Sequence, residues 1–88
     1  MQVFTGVVCW FNKKRGFGFV KIIDKDLPET DTEIFCHYTA INSNTYRALF
    51  PGEFVNFNIV ETEEKGKVCS NVTGINGYPL LIDNETHT

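Results

Sequence analysis

Residues 13–20 read KKRGFGFV, three consecutive cations followed by two phenylalanines that alternate with glycine. In a β-strand, successive side chains point to opposite faces of the sheet, so Phe17 and Phe19 share one face. The other face carries the aliphatic side chains of Val20 and Ile22. Aliphatic side chains on one face suffice for a core. The stretch therefore predicts a strand with a buried aliphatic face and an outer face that carries two aromatic rings.

Aromatic rings beside cations are typical of surfaces that bind unpaired nucleotides, because every base has a π-face and every nucleotide carries a phosphate. Residues 15–22 match the pattern K/R-G-F/Y-G/A-F-V-x-F/Y at seven of eight positions and fail only at Ile22. Lys21 shares the face of the two rings. The alternative is an ordinary barrel strand whose rings are core and whose glycines relieve bends. A second strand with the same asymmetry would favour the binding surface.

Residues 33–38, EIFCHY, provide that second strand. Alternation places Phe35 and His37 on one face and Ile34 and Cys36 on the other. The aliphatic and thiol side chains supply core, which leaves an aromatic ring and an imidazole outside. A lone histidine is more often a structural surface residue, but beside Phe35 a stacking role for His37 is favoured.

Composition limits the partners. With 88 residues, 42% hydrophobic and 22% charged, the chain has the length and composition of one folded domain. The formal net charge is −3, which argues against a partner held by bulk electrostatics alone. Cations cluster in residues 13–25 and acidic residues follow in 26–33. A nucleic acid would therefore need a local basic patch together with stacking.

The three cysteines, Cys9, Cys36 and Cys69, form no C-x-x-C pair, so the sequence predicts neither a disulfide framework nor a metal site, and no cofactor. A reducing compartment is expected, the cytoplasm or, in a eukaryote, the nucleus. No signal peptide or membrane-spanning segment is predicted, so no membrane partner is expected. An enzyme is disfavoured because His37 has no nucleophile or acid to pair with in any recognisable motif.

Five segments predict short β-strands, at residues 3–11, 16–23, 33–38, 53–61 and 67–75. Residues 24–32 predict an exposed, mobile acidic loop, and residues 46–49 at most one or two helical turns. Five strands without an amphipathic helix predict an all-β, five-stranded antiparallel barrel, which leaves no open sheet edge. An RRM-type sheet, the competing fold, needs two amphipathic helices. The domain is expected to cover residues 1–79, with a frayed tail at 80–88.

The face occupied by Trp10 stays open at this level. In residues 3–11, strict alternation puts Val8 and Trp10 on one face and Val7, Cys9 and Phe11 on the other, so both faces are apolar. A bulge near the glycine at position 6, or a strong twist, would redistribute these side chains.

Several motifs along the chain occur in an order that is typical of a known family. The motifs are GVVCWFN at 6–12, KRGFGFV at 14–20, IFCH at 34–37, AI at 40–41 and NVTG at 71–74. This order resembles a cold-shock domain, as in bacterial cold-shock proteins and in eukaryotic Y-box proteins, over about residues 3–79. The resemblance implies an OB-type barrel that binds single-stranded RNA and DNA across its first three strands, without enzymatic activity.

The resemblance also implies roles for individual residues, and it places Trp10 on the binding face. The predicted stacking residues are Trp10, Phe17, Phe19, Phe35, His37, Tyr38 and Tyr46. The predicted polar and charged contacts are Asn12, Lys14, Arg15, Lys21, Glu33 and Lys65. Cys9 departs from the family, which usually has lysine there, so one phosphate contact is expected to be missing. The acidic loop at 24–32 is longer than in bacterial members.

The sequence therefore predicts a sequence-tolerant binder of single-stranded RNA or DNA, acting as an ATP-independent RNA chaperone or as a regulator of transcription or translation. A barrel that is polar outside its aromatic face is expected to be a monomer, with a weak dimer through the exposed rings as the alternative. A different class of function, a protein-interaction module that uses the same aromatic face, stays open because the chain is acidic and has Cys9 in place of a cation.

Overall fold

The computed structural model of the chain describes residues 2–42, 47–77 and 80. Its five strands are β1 (Phe4–Asn12), β2 (Phe17–Ile22), β3 (Glu33–His37), β4 (Phe54–Thr62) and β5 (Gly66–Gly74). Two 3-10 turns follow strands, at Tyr38–Ala40 and Ile75–Gly77. All five predicted strands are confirmed, and each predicted boundary lies within one residue of the observed one.

The strands close into a barrel in the order β1-β2-β3-β5-β4. The prediction of a wholly antiparallel barrel was wrong in one respect, because β3 and β5 pair in parallel through Phe35 and Val68. The reason is topological. Five strands in a closed ring cannot alternate direction at every neighbour, so one neighbouring pair must run in the same direction. The other four pairs are antiparallel.

The barrel interior holds the aliphatic faces predicted from the sequence. Val20, Ile22, Ile34 and Cys36 are each at most 3% exposed. Leu80 is 2% exposed and belongs to the same core cluster, so packing extends one residue beyond the predicted domain boundary. Residues 81–88, predicted as a frayed tail, lie outside the described residues.

A β-bulge at Cys9 decides which way Trp10 points. Val8 pairs with Val20 and Trp10 with Phe19, so Cys9 is an extra residue on β1. Consequently Val8 is buried while Trp10 is 42% exposed. The bulge does not lie near Gly6, because that glycine is regularly paired. Glycine is favoured at position 6 for steric reasons, since a Cβ there would lie 2.6 Å from Val20 Cγ1.

The acidic loop at 24–32 is tied down by hydrogen bonds at both ends. The Thr5 amide donates to Asp24 Oδ1 (2.6 Å), the Ile22 amide to the Thr32 carbonyl (3.0 Å) and the Asp31 amide to the Ile22 carbonyl (2.8 Å). Its Leu27 packs against the core. The exposed loop is therefore anchored on the barrel. The helical turn predicted at 46–49 is absent from residues 47–49, and residue 46 lies outside the described residues.

Candidate nucleic-acid interface

Six rings, five from three adjacent strands and one from the 3-10 turn that follows β3, form one continuous surface, which we call the aromatic platform. Its members are Trp10, Phe17, Phe19, Phe35, His37 and Tyr38. Strand register brings them together, because Trp10 lies opposite Phe19, Phe19 opposite Phe35, and Phe17 opposite His37. Directly opposite residues on neighbouring strands share a face of the sheet and lie within side-chain contact.

The rings contact one another in sequence across the platform. Ring centroids are 5.5 Å apart for Trp10 and Phe19 and 5.8 Å apart for Phe19 and Phe35. Phe17 stacks on Phe35 at 5.5 Å with planes inclined by 25°. These spacings are those of favourable aromatic pairs. The rings therefore hold each other in place before any ligand arrives, and a ligand does not have to order them.

Two glycines allow the platform to form. A Cβ at Gly18 would lie 2.2 Å from the Trp10 carbonyl oxygen and 2.7 Å from Phe11 Cα, so only glycine lets β1 pass this close to β2. Gly16 has a φ of +77°, and a Cβ there would meet Tyr38 Cδ1 at 2.8 Å. The Tyr38 amide donates to the Gly16 carbonyl at 2.8 Å. Tyr38 thus reaches the platform across the turn that precedes β2.

His37 is fixed at the edge of the platform by a cap interaction. Its Nδ1 accepts from the Thr39 amide at 3.4 Å and lies 2.9 Å from Thr39 Oγ1. The imidazole stacks on the Phe35 ring, with ring centroids 6.4 Å apart, and contacts the Tyr38 ring, with ring centroids 4.6 Å apart. Because one nitrogen caps the 3-10 turn, the ring has a defined orientation, and its outer face continues the aromatic surface.

Lys65 supplies a cation directly at the platform. Its Nζ lies 4.6 Å from the centroid of the Phe35 ring, which is cation–π distance. The β4–β5 turn aims it there, because Thr62 Oγ1 accepts from the Lys65 amide at 3.1 Å and donates to the Gly66 carbonyl at 3.1 Å. The predicted position of Lys65 in the last turn therefore places it beside an aromatic ring of β3.

The β1–β2 turn carries the other predicted cations. Lys14 and Arg15 are exposed there. Asn12 shapes the turn, because its Oδ1 accepts from the Arg15 amide at 3.0 Å and its carbonyl accepts from the Gly16 amide at 2.8 Å. The neighbouring Lys13 places its Nζ 5.6 Å from the Phe50 centroid, outside the platform. The turn thus presents Lys14 and Arg15 next to the Phe17 end of the rings.

Lys21 and Glu33 lie directly opposite each other on β2 and β3, one outward position beyond Phe19 and Phe35. Opposite charges across a strand pair attract, so the carboxylate offsets part of the positive charge at this end of the platform. Tyr46, the remaining predicted stacking residue, lies outside the described residues.

A surface groove adjoins the platform, and no pattern in the sequence predicts it. A depression of about 770 Å³ runs from Phe35 and His37 across Val68 to Val60, beneath Lys65. It depends on the parallel pairing of Phe35 with Val68, and a pairing between distant strands leaves no local signal. Alternation within β5 predicts that Val68 faces outward, but it does not predict which strand lies beside Val68.

Two of the three free cysteines are structural. Cys36 and Cys69 are buried on the neighbouring strands β3 and β5, and Cys9 is partly exposed in the bulge. A hydrogen bond with Cys36 and burial raise the pKa of Cys69 far above its usual range. Within residues 2–42, 47–77 and 80, no three His, Cys, Asp or Glu side chains are grouped so as to hold a metal ion. None of the helices described is long and apolar enough to cross a membrane.

Comparison with known proteins agrees with this geometry. The family described as the 'Cold-shock' DNA-binding domain matches residues 4–75. The cold shock-like protein CspB of Escherichia coli is 41% identical over 68 residues, which cover 77% of this chain and 87% of the relative. The cold shock protein CspA of Staphylococcus aureus is 37% identical over 67 residues, or 76% of this chain and 91% of the relative.

A human relative has the same domain within a longer protein. Y-box-binding protein 3 is 40% identical over 79 residues, which cover 85% of this chain and 20% of the human protein. The chain belongs to the cold-shock domain family. The predicted family and the predicted barrel fold are thus confirmed, and membership of a family of nucleic-acid binders supports the prediction that the chain is not an enzyme.

Proposed function

We propose that this chain binds single-stranded nucleic acid by stacking unpaired bases on the aromatic platform. The single observation that carries the proposal is the unbroken contact of six rings across β1, β2, β3 and the 3-10 turn after β3, held outward while the aliphatic side chains fill the barrel. Each stacked base contributes roughly 1–3 kcal/mol. Four stacked bases are therefore enough to offset the ordering of a flexible strand.

Stacking on this surface selects unpaired strands. In a duplex the faces of the bases are covered by their neighbours, so a base must leave its stack to reach a ring. Every base has a π-face, which makes the binding tolerant of sequence. By holding unpaired segments, the protein would shift weak RNA secondary structure toward the open form without ATP. We include this RNA chaperone activity, and the regulation of transcription or translation that would follow from it, in the proposal.

Charge contributes less than stacking to the proposed affinity for nucleic acid. Lys14, Arg15 and Lys65 adjoin the platform in a chain whose net charge is −3. If each neutralises one phosphate of a single strand, the slope of log affinity against log salt is about −2. The platform comes from a single chain, and we propose that the protein acts as a monomer in a reducing compartment, the cytoplasm or the nucleus.

Titration of the protein with oligothymidylate and oligouridylate, followed by Trp10 fluorescence, tests the proposal. Stacking of a base on or beside the indole should quench the emission. Phe17→Ala and Phe35→Ala should each weaken binding about tenfold or more, since each removes a stacking ring. Val3→Ala is the matched control, because Val3 is 58% exposed and lies outside the platform. Absence of quenching, with both alanine variants behaving as the parent does, would refute the proposal.

The competing function is a protein-interaction module that uses the same rings. The observation that favours it is the acidic net charge together with Cys9 beside Trp10. The salt dependence of binding affinity distinguishes the two functions. An apolar protein contact is nearly insensitive to salt, whereas phosphate contacts weaken as the salt concentration rises.

A further inference from the structure

Phe54, the first residue of β4, is 55% exposed although its neighbour Val55 is fully buried. Singly exposed apolar residues are common on proteins and need no explanation by themselves. The surroundings of Phe54 distinguish it, because they connect the ring to the aromatic platform.

Strand register places Phe54 in a second outward row beside the platform. On β1, Val7 pairs with Phe54 on one side and with Lys21 on the other. Lys21 in turn pairs with Glu33. A row of outward-facing residues therefore crosses four strands and consists of Glu33, Lys21, Val7 and Phe54. The adjacent outward-facing row consists of Phe35, Phe19 and Trp10. The β4 end of the first row is aromatic and its centre carries a cation.

The β1 residues that separate Trp10 from the partner of Phe54 are uncharged. The Cys9 bulge lies between Val7 and Trp10 on β1, and both Cys9 and Val7 are partly exposed. Glu53, next to Phe54, is buried and accepts from the Phe50 amide at 2.7 Å, so its carboxylate turns away from this surface. From strand geometry, the Trp10 and Phe54 backbones are roughly 11 Å apart. A strand that leaves Trp10 in this direction meets the Phe54 ring next.

We propose that Phe54 is an additional base-stacking position, which extends the nucleic-acid surface from the platform onto β4, with Lys21 as the cation nearest that extension. The inference rests on the function proposed above. Nucleic acid is the occupant that fits, because the extension is continuous with the platform and offers the same two features, an exposed ring and a cation in the same outward row.

A length series of oligothymidylates tests the extension. Affinities for strands of about 4, 6, 8 and 10 nucleotides are measured through Trp10 fluorescence for the parent, Phe54→Ala and Val3→Ala. Short strands, which the platform alone accommodates, should bind all three proteins equally. Longer strands should bind Phe54→Ala about tenfold more weakly than the parent, since one stacking ring is lost. Val3→Ala should follow the parent at every length.

A relocated fluorophore reports on the site directly. In Trp10→Phe/Phe54→Trp the only tryptophan stands at position 54, while a ring is kept at position 10. Its emission should be quenched by the longer strands and unaffected by the shortest. Because residue 54 is exposed, Phe54→Ala should unfold in urea near the parent's midpoint, and Trp10→Phe/Phe54→Trp is compared with Trp10→Phe alone, which separates binding effects from folding defects.

The outcomes distinguish this inference from the function on which it rests. If no strand of any length binds the parent, the proposed function fails. If short strands bind but Phe54→Ala equals the parent at every length, the function stands and the extension onto β4 is refuted. If Phe54→Ala changes only the self-association of the free protein in sedimentation, the patch is a contact between copies, and the extension is likewise refuted.

Discussion

Lys65 holds its Nζ 4.6 Å from the centroid of the Phe35 ring, although the two residues lie on separate elements and 30 positions apart in the chain. If a base stacks on Phe35, as we propose, this cation is well placed for the phosphate of the same nucleotide. The contact would then combine stacking and charge at one position of the platform.

Replacing Lys65 tests the charge at this position. Lys65→Gln should weaken oligothymidylate binding several-fold at low salt, because it removes one phosphate contact. The slope of log affinity against log salt should become shallower by about 0.7. Lys25→Gln is the matched control, since Lys25 is an exposed cation in the acidic loop, away from the rings. Equal salt slopes for both variants and the parent would show that Lys65 makes no phosphate contact.

Gly18 should be irreplaceable for steric reasons. A Cβ at this position meets the Trp10 carbonyl oxygen and Phe11 Cα, backbone atoms that cannot turn aside. Gly18→Ala should lower the free energy of unfolding by about 3 kcal/mol. Gly66→Ala, whose site has φ +71° and nothing within 4 Å, should cost only about 1 kcal/mol of backbone strain. Urea unfolding measures both, and similar losses would contradict the close approach of β1 to β2.

Cys69 should make stability fall at alkaline pH. Its pKa is raised in the folded state by the hydrogen bond with Cys36 and by burial. Below the ordinary thiol pKa of about 8.5, both folded and unfolded chains keep the proton, and the full stability is present. Above it only the unfolded chain loses the proton, so the free energy of unfolding decreases by about 1.4 kcal/mol per pH unit.

Urea unfolding between about pH 8 and pH 10 measures this decrease. Cys69→Val fills the same buried position without a titrating group, so its curve should fall less steeply by that amount. The comparison removes the contributions of lysines and tyrosines, which titrate in both proteins. Parallel curves would show that the Cys69 thiol ionises equally in folded and unfolded chains.

Local alternation was sufficient for most of the platform. In β2 and β3 only one face is aliphatic, so the outward positions of Phe17, Phe19, Phe35 and His37 followed from the sequence. In β1 both faces are apolar, and the position of Trp10 depends on the bulge at Cys9, which periodicity cannot locate. There the family resemblance, rather than the pattern of residues, anticipated the outward ring.

Sequence patterns do not predict contacts between strands that are far apart in the chain. The parallel pairing of β3 with β5 follows from closure of a five-stranded ring, and the groove at Val68 and the contact of Lys65 with Phe35 depend on it. The position of Phe54 beside Val7 likewise comes from the register of β1 with β4. Residues 80–88 end in polar side chains and are predicted as a frayed tail, but Leu80 belongs to the core, which no periodic pattern in this segment indicates.

On the aromatic platform, bases should hold the ligand more strongly than phosphates do. The most direct measurement compares an oligothymidylate with an abasic strand of the same length, which carries the same phosphates and sugars but no bases. Loss of several stacked bases, at roughly 1–3 kcal/mol each, should weaken binding by about a hundredfold or more. Affinities for the two strands within about twofold of each other would contradict the account.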